Sequence, residues 1–171
     1  EKLKKVNFMS WNTSSRIVIR SYGRFFAHKK LYKDFKPLSS LRNNIVTRVS
    51  KFNDNTIGVH IRRTDNVQSI MKSPIDHFEL HIDNEIKKNP KANFYLASDS
   101  EKIKKYFTKK YNNRIIIANE KVDRKTIVGE QNAVVELYSL ANTKKILGSY
   151  FSSFSHTAAE INGIEEITVM K

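Results

Sequence analysis

Residues 56–65 read TIGVHIRRTD, an apolar run that passes at once into two arginines, a threonine and an aspartate. TIGVHI has the length and the β-branched content of a strand, and a run this largely apolar marks a strand covered on both faces, as in a parallel sheet. Parallel strands need crossover helices, and the sequence downstream supplies them.

Pro74 sits at a helix start, and Ile75, Phe78, Ile82 and Ile86 recur at helical spacing to about Lys88. FYLAS, 94–98, is a second strand; Ser100 is placed to cap the helix over 101–111, whose Ile103, Tyr106 and Phe107 are expected to face inward. IIIAN, 115–119, is a third strand. After the polar loop EKVDRKTIVGEQ, Asn132 is expected to open a helix carrying Val134, Val135, Leu137, Tyr138, Leu140 and Ala141. KILG, 145–148, is a fourth strand, SSFSHTAAEIN a helix that stops at Asn162–Gly163, and ITVM, 167–170, a final strand. Upstream, Pro37, Leu38, Leu41, Ile45, Val49 and Phe52 make a helix, and RIVIR, 16–20, is a candidate strand. The predicted fold class is α/β: a Rossmann-like parallel sheet with helices on both faces over residues 36–171, preceded by an N-terminal extension over 1–35.

With 171 residues the chain can bury roughly two thirds of the surface its unfolded form exposes. It has no cysteine, so no disulfide helps, and a reducing, cytoplasmic setting is the expectation. No apolar run approaches the roughly 18 residues of a membrane span, and EKLKKVNFMSW lacks the long apolar centre of a signal peptide. The start at Glu1 rather than methionine suggests a processed protein or a piece of a longer one.

The 31 Lys and Arg against 17 Asp and Glu give a net charge of +14, a field that attracts anions. Lys87, Lys88, Lys102, Lys104, Lys105, Lys109 and Lys110 read as solvated helix faces. No RNP-type aromatic motif or zinc-finger spacing accompanies them, so nucleic acid is not an expected partner and a basic polyanion binder is the lesser alternative.

In open parallel sheets ligands bind beyond the carboxyl ends of the strands, where His60, Arg62, Arg63 and Asp65 fall. Alternation sends His60 and Arg62 to one face and Arg63 to the other, so the two arginines should have different partners. A guanidinium offers a permanent charge and a planar fork matched to phosphate; the competing reading pairs the arginines with Asp65 and another acid to tie the loop down. Asp99, just past FYLAS, can accept from a guanine edge or a ribose diol, or cap the next helix. Ser152, Ser153 and Ser155 crowd a strand-to-helix turn, either as donors to an anion at the helix start or as ordinary caps, with Thr157 and Glu160 as a capping box. His156 reads as a surface or packing histidine. GxxxxGK[ST], GxGxxG and Asp-x-Asp are all missing, and the five histidines show no zinc spacing, so no metal site is expected.

VHIRRTD, FYLASDS and ELYSLANTKKILGSYFSSFSHTAAEI together resemble, in order and separation, the nucleotide-sugar half of the α-1,6-fucosyltransferases, with the protein O-fucosyltransferases as more distant relatives. The likeness covers roughly residues 36–165. It implies the C-terminal half of a GT-B glycosyltransferase that inverts the sugar carbon without metal or other cofactor, GDP-fucose or a similar nucleotide sugar being the donor. By resemblance Arg62 holds the β-phosphate with Arg63 beside it, His60 and Asp99 with Ser100 meet the guanine and ribose side, and Ser152, Ser153 and Ser155 line the phosphate turn. A glycan or glycoconjugate acceptor, and a domain or subunit completing the cleft, are the implied partners. Asn66 and Ile70 stand where the α-1,6 enzymes carry a lysine and a glutamate base, which leaves Asp65, or a residue outside this chain, as the expected base.

Overall fold

In a computed structural model of the chain, Tyr32, residues 35–118, Glu120, Asp123 and residues 125–171 are described. Five strands, β1 (Thr56–Ile61), β2 (Asn93–Ser98), β3 (Ile115–Ile117), β4 (Lys145–Ser149) and β5 (Glu165–Val169), form one sheet in the order β3-β2-β1-β4-β5. All four pairings are parallel. The helices are α1 (Ser39–Val49), α2 (Val67–Lys72), α3 (Ile75–Lys88), α4 (Glu101–Tyr111), α5 (Ile127–Ala141) and α6 (Ser153–Asn162).

Every residue of β1 is buried, because helices cover both sides. On one face Ile57, Val59 and Ile61 pack with Phe78 and Ile82 of α3 and Phe107 of α4. Each fully buried phenylalanine there stabilises the fold by about 2–3 kcal/mol. On the other face Tyr95, Ala97 and Ile146 meet Leu140 and Ala141 of α5 and Ala158 of α6. Gly58 faces that side, where a Cβ would stand 2.8 Å from Thr143 Oγ1 and 3.0 Å from a Leu140 methyl, so glycine lets α5 close on the sheet. Leu41 and Ile45 of α1 form a third cluster with Val135.

The strand order positions the site. The chain winds outward from β1 through β2 to β3, then returns past β1 to lay down β4. Crossovers therefore leave β1 and β4 in opposite directions, and a crevice opens beyond their carboxyl ends.

Several expectations need correction. Helix α5 begins at Ile127, five residues before Asn132: Thr126 caps it by accepting from the Gly129 N–H at 3.0 Å. Ile127 and Val128 are exposed, so no apolar stripe announces that turn. The segment after Asn66 contains the short helix α2, capped by the Asn66 side chain through the Ser69 N–H. Strand β5 begins two residues early, its polar Glu165 and Glu166 hiding the start. Tyr106 is exposed, its hydroxyl donating to Glu79. Lys104 is not on a solvated face: it is 1 % exposed, with Nζ 3.2 Å from Glu101 and 3.7 Å from Glu136 of α5. Ser100 and Ser152 occupy N-cap positions without a side-chain cap bond, and Thr157 lies inside α6 rather than opening a capping box. RIVIR lies outside the described residues.

Candidate functional site

β1 ends where its neighbours stitch it down. The Arg62 N–H donates to Ser149 Oγ of β4 at 3.0 Å, and Ser98 Oγ of β2 donates to the Ile61 carbonyl at 2.7 Å. The chain then turns over Asp99, whose carboxylate accepts from the Arg63 N–H at 2.7 Å, the Thr64 N–H at 3.2 Å and the Thr64 hydroxyl at 2.6 Å. Asp99 is thus the second acid of the competing reading, tying down together with Asp65 the loop that follows β1. Ser100 donates its N–H to Ser98 Oγ at 3.2 Å.

The arginines have different partners, as alternation required. Arg62 makes a two-pronged pair with Asp65, Nε to Oδ1 at 2.8 Å and Nη2 to Oδ2 at 2.7 Å, and its Nε lies 3.1 Å from Asp99. Arg63 turns to the backbone, donating to the Ile70 carbonyl at 3.0 Å and to the Ser73 carbonyl. It thereby serves the carbonyl end of α2, where a cation is favoured. Burial lowers the Arg63 pKa, with Asp99 opposing.

The loop after β1 and the turn after β4 form one unit. Ser69 Oγ donates to the Tyr150 carbonyl at 2.7 Å, the Tyr150 N–H donates to Ser73 Oγ at 2.7 Å, and Asn66 Nδ2 donates to the Phe151 carbonyl at 3.0 Å. Sequence reasoning missed these positioning residues, because nothing in NVQSIMKS shows which distant carbonyls its side chains reach. Phe151, at the tip of the turn, has φ of 55° and is 68 % exposed. That left-handed backbone is unfavourable for a residue other than glycine, and such strain collects at ligand sites.

His60 is buried, its ring 5.0 Å from Phe154 and Nδ1 3.4 Å from Ser152 Oγ. Burial lowers its pKa to about 4, with Asp99 opposing and Arg62 reinforcing, so the ring is neutral at pH 7. Ser152 and Ser153 open α6 at the crevice. Ser155 is fully buried, facing Gly148 and donating to the Ser152 carbonyl at 3.4 Å rather than opening to the crevice.

Beside these serines lies a cleft of about 410 Å³, lined by Ser149, Phe151, Ser152, Ser153, His156 and Glu166, with Thr168 on its wall. Arg62 borders this cleft through Ser149 rather than lining it. His156 has Nδ1 3.0 Å from Glu166 Oε2 and Nε2 3.5 Å from Glu160 Oε1. The cleft offers hydroxyls and helix N–H groups for an anion and an imidazole one turn further along α6, while the Arg62 guanidinium is held next to it in the loop after β1 by Asp65 and Asp99. Among the described residues no group of three or more His, Asp or Glu is placed to hold a metal ion, and no helix is long and apolar enough to cross a membrane.

No protein-family model and no curated sequence matches the chain. Solved structures do. POFUT1 in complex with GDP superposes with a TM-score of 0.61 over 82 % of this chain and 51 % of that one, at 10 % identity.

The fold is similar to part of a fucosyltransferase.

NodZ α-1,6-fucosyltransferase co-crystallised with GDP gives a TM-score of 0.52 over 71 % of this chain and 41 % of that one, at 20 % identity. NodZ from Bradyrhizobium gives 0.55 over 74 % and 43 %, at 19 % identity. The chain thus spans about half, or somewhat less, of the length of these enzymes. At such identities the likeness is one of fold: the Rossmann-like parallel sheet expected of one half of a GT-B glycosyltransferase.

Proposed function

We propose that the chain is the donor-binding part of an inverting, metal-independent glycosyltransferase that moves fucose, or a related deoxyhexose, from a nucleoside diphosphate sugar to a glycan or glycoconjugate hydroxyl. The carrying observation is the joining of the arginine loop to the serine turn at the switch-point crevice. Support comes from the fold it shares with fucosyltransferases crystallised with GDP and GDP-fucose.

In this reading the diphosphate lies against Ser152, Ser153 and the first turn of α6, with Arg62 at its β-phosphate. An acceptor hydroxyl attacks the anomeric carbon, and the departing diphosphate gathers charge beside Arg62. Asp65 and Asp99 hold that guanidinium in place beforehand, so little reorganisation is left for the reaction. Arg63 and Asp99 keep the loop in shape. His60, being neutral, orients the Ser152 hydroxyl without adding charge. Guanine and ribose lie on the His60 side of the crevice. Another domain or subunit completes the cleft and presents the acceptor, in keeping with a chain half as long as its structural neighbours.

A second reading, a nucleotide-sugar module without transfer, is favoured by one observation: both Asp65 oxygens accept from Arg62, and Asn66 spends its side chain on α2 and Phe151. A thermal-shift titration with GDP, GDP-fucose, UDP and dTDP at two salt concentrations, combined with a GDP-release assay, separates these cases. GDP should raise stability by about 2.7 kcal/mol at a hundred times its dissociation constant. Arg62→Ala should abolish that rise and lower turnover about a hundredfold or more. Nucleotide binding without turnover selects the module. A shift given equally by all four and erased by salt leaves a polyanion binder.

A further inference from the structure

We infer that His156, oriented by Glu166, is the base that takes the proton of the acceptor hydroxyl; this assignment rests on the glycosyltransferase reading above. The arginine loop itself is poorly placed for that task. Asp65 spends both carboxylate oxygens on Arg62, Asn66 caps α2 and bonds the Phe151 carbonyl, and Ile70 has no titratable group.

Across the crevice the cleft wall carries two titratable side chains, His156 and Glu166, in direct contact. His156 lies four residues along α6 from Ser152, about 6 Å along the helix axis. His156 lines the same cleft as Ser152 and Ser153, within the span of a sugar joined to a phosphate held at the serines.

The chemistry of the pair suits a base. Glu166 Oε2 stands 3.0 Å from Nδ1, which fixes the ring and stabilises the imidazolium formed when the other nitrogen accepts a proton. That other nitrogen, Nε2, makes the longer contact, 3.5 Å to Glu160 Oε1, which an acceptor hydroxyl displaces to reach it. Glu166 is itself held against Gly148, where a Cβ would meet its Oε1 at 2.6 Å. In the step, the acceptor oxygen bonds to the anomeric carbon as the bond from that carbon to the phosphate oxygen breaks. The electron pair leaves with the nucleoside diphosphate, and the acceptor proton passes to Nε2. Glu166 is a positioning residue; the other carboxylate facing the ring is Glu160 of α6.

GDP-fucose hydrolysis, with water as acceptor, tests the assignment on the whole chain. GDP binding is measured first: if GDP does not bind, the donor-site reading fails. If GDP binds, wild type should release fucose and GDP, and His156→Gln should lower kcat about a hundredfold or more, with KM changed less than about threefold. Added imidazole should restore part of the rate to His156→Ala. Glu166→Gln, which keeps an acceptor for the Nδ1 N–H, should lower kcat less than His156→Gln does, with KM changed less than about threefold. GDP binding with no hydrolysis by wild type, or a His156→Gln rate within threefold of wild type, overturns the assignment and leaves the donor-site reading standing.

Discussion

Removing the Asp99 carboxylate tests whether it builds the arginine loop or waits for a ligand. Four donors converge on it: the Arg63 and Thr64 N–H groups, the Thr64 hydroxyl and Arg62 Nε. A hydrogen bond to a charged group contributes about 1.5–3 kcal/mol, but the four do not add. Thr64 is exposed, so water replaces the carboxylate at two of the four donors. The Arg63 N–H is half-buried, and Arg62 keeps Asp65. Asp99→Ala should therefore cost about 2 kcal/mol without any ligand, or about 4–8 °C in Tm for a chain of this size. Urea and thermal unfolding of the ligand-free protein read this directly, and Asp99→Asn, which keeps one acceptor, should lose less. A side chain reserved for ribose or guanine would be neutral in the free protein and matter only with nucleotide. A ligand-free loss below about 0.5 kcal/mol, within the range of ordinary surface substitutions, would refute the loop-holding role.

Two buried groups should give opposite pH dependence. Burial raises the Glu136 pKa from 4.5 to about 7, with Lys104 and Arg48 opposing. Glu136 therefore contributes on the order of 3 kcal/mol that is present below pH 4.5 and lost as pH rises through about 7. Burial lowers His60 from 6.5 to about 4, so its contribution, of like size, is present above pH 6.5 and lost as pH falls through about 4. Stability measured from pH 4 to 8 for wild type, Glu136→Gln and His60→Gln should separate two slopes of opposite sign; slopes of the same sign would contradict the burial of one group. Gly148→Ala places a methyl 2.6 Å from Glu166 Oε1 and 2.7 Å from Ser155 Oγ. It should cost about 1–3 kcal/mol in urea unfolding, a protein of unchanged stability showing that Glu166 moves freely.

The residues themselves determined the sheet. A strand covered on both faces is mostly apolar, so TIGVHI and FYLAS, polar only at Thr56, His60 and Ser98, announce a parallel core, and helical spacing from Ile75 to Ile86 announces the crossover between them. That Arg62 and the serines fall at one edge also follows, since every strand of a parallel sheet ends on the same side. The first turn of α5 was illegible because its apolar residues face solvent, and the burial of Lys104 because its partner Glu136 lies 32 positions away on another helix. Only the tertiary structure decided the partners. It gave Arg62 to Asp65, Arg63 to the end of α2, Asp99 to the backbone of the arginine loop, and His156 to a glutamate on the adjoining strand. Hydrophobic burial is non-directional and leaves a periodic trace along the chain; a hydrogen bond depends on where two distant atoms meet, and that is written only in the folded arrangement.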